Sequence, residues 1–237
     1  MTDLSADLGE SSPGEDSLWP LLSSANVACG GHTGDGASMD HAALMARRYG
    51  VRLGAHPSYP DLADFGRKSM VMEPRALRAT LVEQIVSLQE IAERHGVDLV
   101  HVKPHGALYN DAHRDRALAS TIVEALGEID AAIALVCPDA SQMAAAARAA
   151  GTPVIREAFA DRRYNADGSL VSRKEVNALL GVDEAVEQAA LLVSDGAVIA
   201  ADGTRVRIAF DTICIHADME RAVERLRAIR QRLGGNR

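Results

Sequence analysis

Lysine and histidine follow directly on a short apolar run in the segment LVHVKPHGALYN, residues 99–110. The run alternates like a buried strand, and Lys103 and His105 then come with a proline and a glycine. A cation and a ring that titrates near neutral pH can stabilise negative charge and move protons. The end of this strand is therefore a candidate for chemistry.

The same arrangement recurs after other apolar runs, in the motifs DLGE, CGGHTGDG, GAHPSYPD, EAFADRRY and DTICIHAD. The residues that we select as the candidate site are Asp7, His32, His56, Lys103, His105, Arg67, Asp161 and His216. Further polar residues at the strand ends are Glu10, Asp35, Glu157, Arg162, Asp211 and Asp218. Each residue alone is compatible with a structural role, but gathered titratable groups perturb one another's pKa values, which proteins tolerate mainly at functional sites.

Two chemistries suit these side chains. In the first, Asp7, His32 and His56 hold a divalent metal that activates a water molecule. In the second, no metal is needed: a histidine or aspartate takes a proton from water while Lys103 or Arg67 steadies an anion. The histidines are dispersed along the chain and show no H-x-x-x-H spacing, so the sequence permits a metal without requiring one.

Other catalytic motifs find little support. The glycine-rich loop CGGHTGDG, residues 29–36, could cradle an anion at a helix N-terminus or could be a turn that needs glycine. The chain contains no Walker A motif and no G-x-S-x-G motif. Cys29 lies in an apolar run and is more typical of core than of a nucleophile.

The composition limits the class of protein. The chain has 237 residues, a net charge of −8 and scattered basic residues, which argues against a nucleic-acid partner. Its three cysteines show no paired spacing, so we expect reduced thiols. We find neither a signal peptide nor an apolar segment long enough for a membrane span, so we expect a cytoplasmic protein without a membrane partner.

Short apolar runs alternate with segments of helical period. The predicted strands are Leu4–Leu8, Ala25–Cys29, Val51–Ala55, Leu99–Lys103, Ala132–Cys137, Val154–Ala158 and Thr212–His216. The predicted helices are Gly36–Tyr49, Pro74–His95, Arg116–Leu126, Ser141–Ala150, Asp183–Ser194 and Met219–Leu233. Such alternation predicts right-handed βαβ units and a parallel sheet.

We predict one α/β domain over residues 1–237, a seven-stranded (β/α) barrel similar to a TIM barrel, because every strand carries polar residues at the same end. Asp202-Gly203 between two β-rich runs predicts an appended β-hairpin. The polar insertion, residues 161–181, is expected to lie over the mouth of the barrel. Closure of the barrel would bring the strand ends together.

These motifs, together with FGRKSM and SSANVACGGHTGD, resemble in order and over nearly the whole chain the LamB/YcsF family of 5-oxoprolinase A subunits. The resemblance implies a barrel of the glycoside hydrolase/deacetylase type. It also implies ATP-dependent opening of 5-oxoproline to L-glutamate in a complex with B and C subunits. With no Walker loop, ATP would be bound by the partner subunits or by an unfamiliar loop.

On this basis we predict His105 as the proton-transfer group, Lys103 as a phosphate or oxyanion stabiliser, and Arg67 as the ligand of the substrate carboxylate. Positions that depart from the family pattern are Ser5, Ala6, Gly31, Ser58 and Ala217. Two alternatives remain open: a stand-alone metal-dependent amide hydrolase or deacetylase of the same fold, and a non-catalytic subunit that couples its partners.

Overall fold

Seven parallel strands close into a barrel in the computed structural model, which describes residues 2–234. The strands in chain order are β1 Asp3–Leu8, β2 Ser24–Ala28, β3 Arg52–His56, β4 Leu99–Val102, β5 Ala134–Cys137, β6 Val154–Phe159, β7 Ala197–Ile199, β8 Arg205–Arg207 and β9 Thr212–Cys214. Strands β1 to β6 pair in sequence, and β9 closes the barrel between β6 and β1. Strands β7 and β8 form the predicted separate antiparallel hairpin.

Seven helices surround the barrel within the described residues. They are α1 Gly36–Tyr49, α2 Pro74–Arg94, α3 Gly106–Arg114, α4 Arg116–Ile129, α5 Gln142–Ala150, α6 Val182–Asp195 and α7 Ala222–Arg232. Six of them were predicted, with ends that shift by a few residues. Helix α3, which follows the LVHVKPHG segment, was not predicted.

Helix α2 shows how the sequence determines these outer elements. Its apolar stripe, Leu77, Leu81, Ile85, Leu88 and Ile91, is buried. Pro74 occupies the first turn, where its missing N–H leaves no hydrogen bond unmade. The side chain of Glu73 caps the helix by accepting a hydrogen bond from the backbone N–H of Ala76 at 3.1 Å. The helix therefore packs one face on the sheet.

A polar chain of hydrogen bonds crosses the barrel interior below the strand ends. His101 Nε2 lies 2.9 Å from Asn26 Oδ1, and Asn26 Nδ2 donates to Asp7 Oδ1 at 2.9 Å. Gly54 on the neighbouring strand leaves room for the His101 ring, because a Cβ there would lie 2.1 Å from it. These hydrogen bonds fix the position of Asp7 from inside the barrel.

The polar insertion at residues 161–181 folds back beside the ends of β6 and β9. Two antiparallel bridges hold it, Arg162 with Leu179 and Tyr164 with Leu170. The Tyr164 hydroxyl accepts a hydrogen bond from the backbone N–H of Phe159 at 2.8 Å, which ties the insertion to β6. Residues of the insertion line the cavity at the barrel mouth, as the sequence analysis predicted.

Cys29, Cys137 and Cys214 are buried and unpaired, as predicted. Among the helices formed by residues 2–234, none is both long and apolar enough to cross a membrane.

Candidate active site

The carboxyl ends of the barrel strands open into a cavity of about 1440 Å³. Six of the eight predicted site residues line it: Asp7, His56, Arg67, Lys103, His105 and His216. His32 and Asp161 lie behind this wall, 1% and 0% exposed, and touch residues that line it. The predicted convergence of distant strand ends is therefore confirmed.

Lys103 is the buried cation at the floor of the cavity. Its Nζ lies 2.9 and 3.1 Å from the two carboxylate oxygens of Asp7 and 2.7 Å from Glu157 Oε1. The hydroxyl of Tyr109 donates to the other Glu157 oxygen at 2.7 Å. Burial favours the neutral amine, but the two carboxylates outweigh it and hold the pKa of Lys103 well above its usual value. Lys103 is therefore a fixed positive charge.

Glu10, His56 and His105 form a second cluster beside Asp7. His56 Nδ1 lies 2.7 Å from the carbonyl oxygen of Lys103, and His105 Nε2 lies 3.0 Å from that of Phe65. A carbonyl oxygen only accepts, so both of these ring nitrogens carry hydrogens. The remaining nitrogens, His56 Nε2 and His105 Nδ1, face each other at 3.0 Å. Two neutral rings would present opposed lone pairs there, so a proton or a metal ion has to lie between them.

The electrostatics of the cluster depend on burial and on neighbouring charges. Burial lowers the pKa of His56, but the carboxylate of Asp7 outweighs it and the net shift is upward. Burial raises the pKa of Glu10, but its contacts with the His105 and His32 rings and the charge of His56 outweigh burial, so the net shift of the Glu10 pKa is downward. For His105, burial dominates and the pKa falls. Of the two rings, His56 is therefore the one whose protonated form the surroundings favour.

His32 supports this cluster from behind. Its ring stacks on His105 with parallel planes and a centroid distance of 3.6 Å, and its Nε2 lies 2.9 Å from Glu10 Oε1. Burial lowers the pKa of His32 to about 4, so the ring is neutral at pH 7. His32 therefore orients Glu10 and His105 and does not face the cavity.

The cluster also has the composition and spacing of a divalent metal site. Glu10 Oε1, His56 Nε2 and His105 Nδ1 lie within 4.8 Å of one another. The two nitrogens are 3.0 Å apart and Glu10 Oε1 is 3.3 Å from His105 Nδ1. Tetrahedral Zn²⁺, with bonds of about 2.0–2.1 Å, separates its ligand atoms by about 3.3 Å. The residues fit a cation, and the backbone carbonyls supply the usual outer hydrogen bonds to both rings.

This ligand set differs from the predicted one, which was Asp7, His32 and His56. Both oxygens of Asp7 bind Lys103, and His32 uses its Nε2 on Glu10. The geometry thus keeps His56 and replaces Asp7 and His32 with Glu10 and His105.

Asp161 and His216 form a pair on another side of the cavity. Asp161 Oδ1 lies 2.8 Å from His216 Nδ1, and Asp161 Oδ2 accepts the backbone N–H of His216 at 2.7 Å. Burial raises the pKa of Asp161, but the charge and hydrogen bonds of His216 outweigh it and lower it. The His216 ring stacks on Phe159 at a centroid distance of 5.6 Å.

Arg67 lies at the mouth of the cavity, with its side chain 50% exposed. Its Nη2 lies 2.9 Å from Asp218 Oδ2, and Arg173 Nη1 lies 3.3 Å from the same oxygen. The Arg67 guanidinium also lies over the ring of Phe65, 5.0 Å from its centroid. The mouth therefore offers two guanidinium groups that already bind one carboxylate.

Residues at the strand ends separate into two groups. Glu10 and Glu157 belong to the site although we did not select them, and Tyr109 was missed altogether because α3 was not predicted. Asp211 directly precedes β9, at the opposite end of the barrel, and pairs with Arg156. Asp35 caps α1 by accepting the Ser38 N–H. Glu10 and Glu157 lie in the same motifs as the selected residues Asp7 and Asp161. That shared position is the sequence signal that could have identified them.

Comparison with known proteins identifies the family to which this chain is similar. The LamB/YcsF family model matches residues 2–237. The 5-oxoprolinase A subunit of Chloroflexus aggregans is 46% identical over 98% of this chain and 94% of its own length. The one of Neisseria meningitidis serogroup A is 43% identical, covering 98% and 95% of the two chains. The crystal structure of the lactam utilization protein from Thermus thermophilus has a TM-score of 0.92 at 39% identity, covering 98% of this chain and 96% of that one. The chain belongs to the LamB/YcsF family.

Proposed function

We propose that this chain is the subunit that opens 5-oxoproline to L-glutamate, coupled to ATP hydrolysis, in a complex with B and C subunits. The observation that carries the proposal is the buried Lys103 ammonium between Asp7 and Glu157 on the cavity floor. It stands in a chain that is similar along its length to proteins named as the A subunit of 5-oxoprolinase. A lactam utilization protein with the same fold supports the same substrate class.

The chemistry requires stabilisation of negative charge. Amide resonance makes the carbonyl carbon of a five-membered lactam a poor electrophile. Phosphorylation of the carbonyl oxygen would make the carbon more reactive, and water would then attack it. Lys103 is a permanent cation that lines the cavity, so it can bind the phosphoryl group or the developing oxyanion.

The cavity has more room than 5-oxoproline needs. Pockets for drug-sized ligands occupy about 300–1000 Å³, and this cavity measures about 1440 Å³. Arg67 can receive the substrate carboxylate by exchanging it for Asp218, which it binds in the structure. The remaining space can accept a phosphoryl donor presented by a partner subunit.

The test is an assay of 5-oxoproline-dependent ATP hydrolysis and glutamate release with the B and C subunits of the same organism. Both products should form in equal amounts in the complete mixture and not when this chain is omitted. 2-Pyrrolidinone, which lacks the carboxylate, is the control substrate and should react poorly. A complete mixture that hydrolyses no 5-oxoproline contradicts the proposal. Full turnover with Asp7→Asn, Lys103→Met, His56→Gln and His105→Gln chains would instead assign a non-catalytic coupling role.

A second candidate, a metal-dependent amide hydrolase, is favoured by the facing lone pairs of His56 and His105 beside Glu10. When bound there, a divalent ion would supply a Lewis acid and an activated water. Glu10, His56 and His105 would hold it, and His32 would orient two of these ligands.

Metal binding can be measured without turnover. After dialysis against EDTA, Co²⁺ and Zn²⁺ are titrated by calorimetry, and Co²⁺ also by visible absorption. One ion per chain should bind, and His105→Ala should abolish binding, whereas His41→Ala, a change on the exposed face of α1, should not. Hydrolysis of N-acetylated sugars without ATP would favour this candidate over the first, and no binding of either ion would contradict it.

A further inference from the structure

The four strand-end histidines differ in which ring nitrogens remain available. Both nitrogens of His56 and of His105 have partners within the cluster or on backbone carbonyls. His32 lies behind the cavity wall, with its Nε2 on Glu10. In His216, Nδ1 is bound by Asp161 and Nε2 makes no hydrogen bond to the residues that the structure describes. His216 also lines the cavity.

Asp161 fixes the tautomer of this ring. The carboxylate is fully buried and its pKa is lowered, so both of its oxygens are acceptors. One accepts the backbone N–H of His216 and the other accepts the Nδ1 hydrogen. The neutral ring therefore carries its lone pair on Nε2, the nitrogen that is free.

The pair lies close to the buried cation. The Phe159 ring contacts both groups: Lys103 Nζ lies 5.3 Å from its centroid, and the His216 ring stacks at 5.6 Å. Lys103, Phe159 and His216 all line the same cavity, so a ligand bound there has access to both groups. Lys103 is a fixed cation and cannot accept a proton, so the two side chains are complementary.

We propose that His216, rather than His105, is the group that transfers protons in the ring-opening reaction, and that Asp161 is its positioning residue; this rests on the proposed function. Nε2 takes a proton from a water molecule as the water oxygen bonds to the lactam carbonyl carbon. The C–N bond then breaks, and the same proton passes from Nε2 to the ring nitrogen, which becomes the amine of glutamate. Water has been added across the C–N bond, and His216 ends as it began. The phosphoryl group on the former lactam oxygen remains as an acyl phosphate, which a second water molecule hydrolyses to glutamate and phosphate.

The first experiment needs no activity. Long-range ¹H–¹⁵N NMR of the labelled full chain at about pH 9, well above the usual histidine pKa, reports the tautomer of His216, and wild type should show hydrogen on Nδ1. In Asp161→Asn, the backbone N–H still donates, so the amide oxygen turns toward it and the NH₂ group faces Nδ1. Hydrogen should then move to Nε2. A wild-type ring with hydrogen on Nε2 overturns the proposal, whatever the substrate is.

The second experiment uses the reconstituted complex. His216→Gln and Asp161→Asn should lower kcat at least 100-fold, the usual contribution of a proton-transfer group, and leave KM within a few-fold. Added imidazole should restore part of the activity of His216→Ala, which a structural role would not explain. The matched control is His41→Gln, which breaks an exposed histidine–aspartate pair and should keep kcat.

The outcomes separate the two proposals. An active wild-type complex in which His216→Gln folds and keeps its kcat overturns the role of His216 while the proposed function stands. A wild-type complex that does not hydrolyse 5-oxoproline overturns the proposed function, and with it the proton transfer in that reaction. The tautomer measurement then still decides whether Asp161 orients His216.

Discussion

Lys103 shows at the scale of single residues how stability and chemistry depend on one charge. Lys103→Met would leave the buried Asp7 and Glu157 carboxylates without their cation. Removing one partner of a buried ion pair destabilises proteins by about 3–5 kcal/mol. We expect a loss of that size in the free energy of unfolding, measured with urea, and a loss of turnover in the complex.

Two further variants make this prediction specific. Lys103→Met combined with Glu157→Gln removes one of the stranded charges, so it should regain part of the stability but none of the turnover. Lys68→Met changes an exposed lysine that is 4.0 Å from Asp64, and it should shift the free energy of unfolding by less than about 0.5 kcal/mol. Normal turnover by Lys103→Met would remove Lys103 from the chemistry.

Gly31 and Ser58, two of the positions that depart from the family pattern, are predicted to be coupled. A Cβ on Gly31 would lie 2.4 Å from Ser58 Oγ and 2.3 Å from Gln84 Oε1. Gln84 in turn holds the backbone of residue 58 through two hydrogen bonds. Gly31→Ala should therefore destabilise the protein by about 1–3 kcal/mol. Ser58→Gly should relieve part of that loss, which a double-mutant cycle by urea unfolding would detect as coupling. Strict additivity of the two changes would contradict the prediction.

At the scale of elements, the strands and most helices could be predicted because their patterns are local. Helix α3 could not be, because what starts it is tertiary. The backbone N–H of Ala107 donates to the Gly66 carbonyl at 2.9 Å, and Gly106 has a φ of 56°. Neither this long-range hydrogen bond nor the positive φ leaves a periodic pattern in the sequence. The boundary with α4 is set by Asp115, whose side chain caps the second helix.

The junction between β4 and α3 gives a prediction at this scale. In Gly106→Ala, the new Cβ would lie 2.5 Å from the Gly66 carbonyl oxygen, at a φ that L-residues rarely adopt. We expect a loss of about 1–3 kcal/mol in the free energy of unfolding and weaker Co²⁺ binding, because the neighbouring His105 is displaced.

Gly127→Ala is the matched control for this junction. Gly127 is exposed within α4, and a Cβ there meets nothing within 4 Å. Alanine in a helix is more favourable than glycine by about 0.5–1 kcal/mol, so this variant should be at least as stable as wild type. A Gly106→Ala protein as stable as Gly127→Ala would show that the junction tolerates a side chain.

At the scale of the whole molecule, the sequence predicted that the strand ends meet, since parallel strands in a closed barrel share one open face. It did not predict which side chains bind one another. The pairing of Glu10 with His32 and His105, and of Asp161 with His216, depends on barrel closure across 22 to 95 residues of chain. The residue types at the strand ends identified the site, whereas the structure was needed to show which side chains bind one another.

The burial of His101 inside the barrel predicts how the stability of the folded state changes at acidic pH. Burial lowers the pKa of His101 to about 4, from an ordinary value of 6.5. Between these values the unfolded chain binds a proton that the folded chain does not, so the stability is complete above pH 6.5 and is lost as the pH falls. At 1.36 kcal/mol per pKa unit, the loss from this group approaches about 3 kcal/mol.

Urea unfolding of wild type and of His101→Gln between about pH 4 and 8 tests this expectation. Glutamine keeps a donor for Asn26 and does not titrate, so the variant should lose less stability than wild type as the pH falls below the ordinary histidine range. His41→Gln, on the exposed face of α1 beside Asp16, is the control and should follow the wild-type curve. Parallel curves for wild type and His101→Gln would mean that the buried ring does not control acid stability. The acid sensitivity of the folded state would then have to come from another buried histidine such as His32, whose pKa is lowered by burial in the same way.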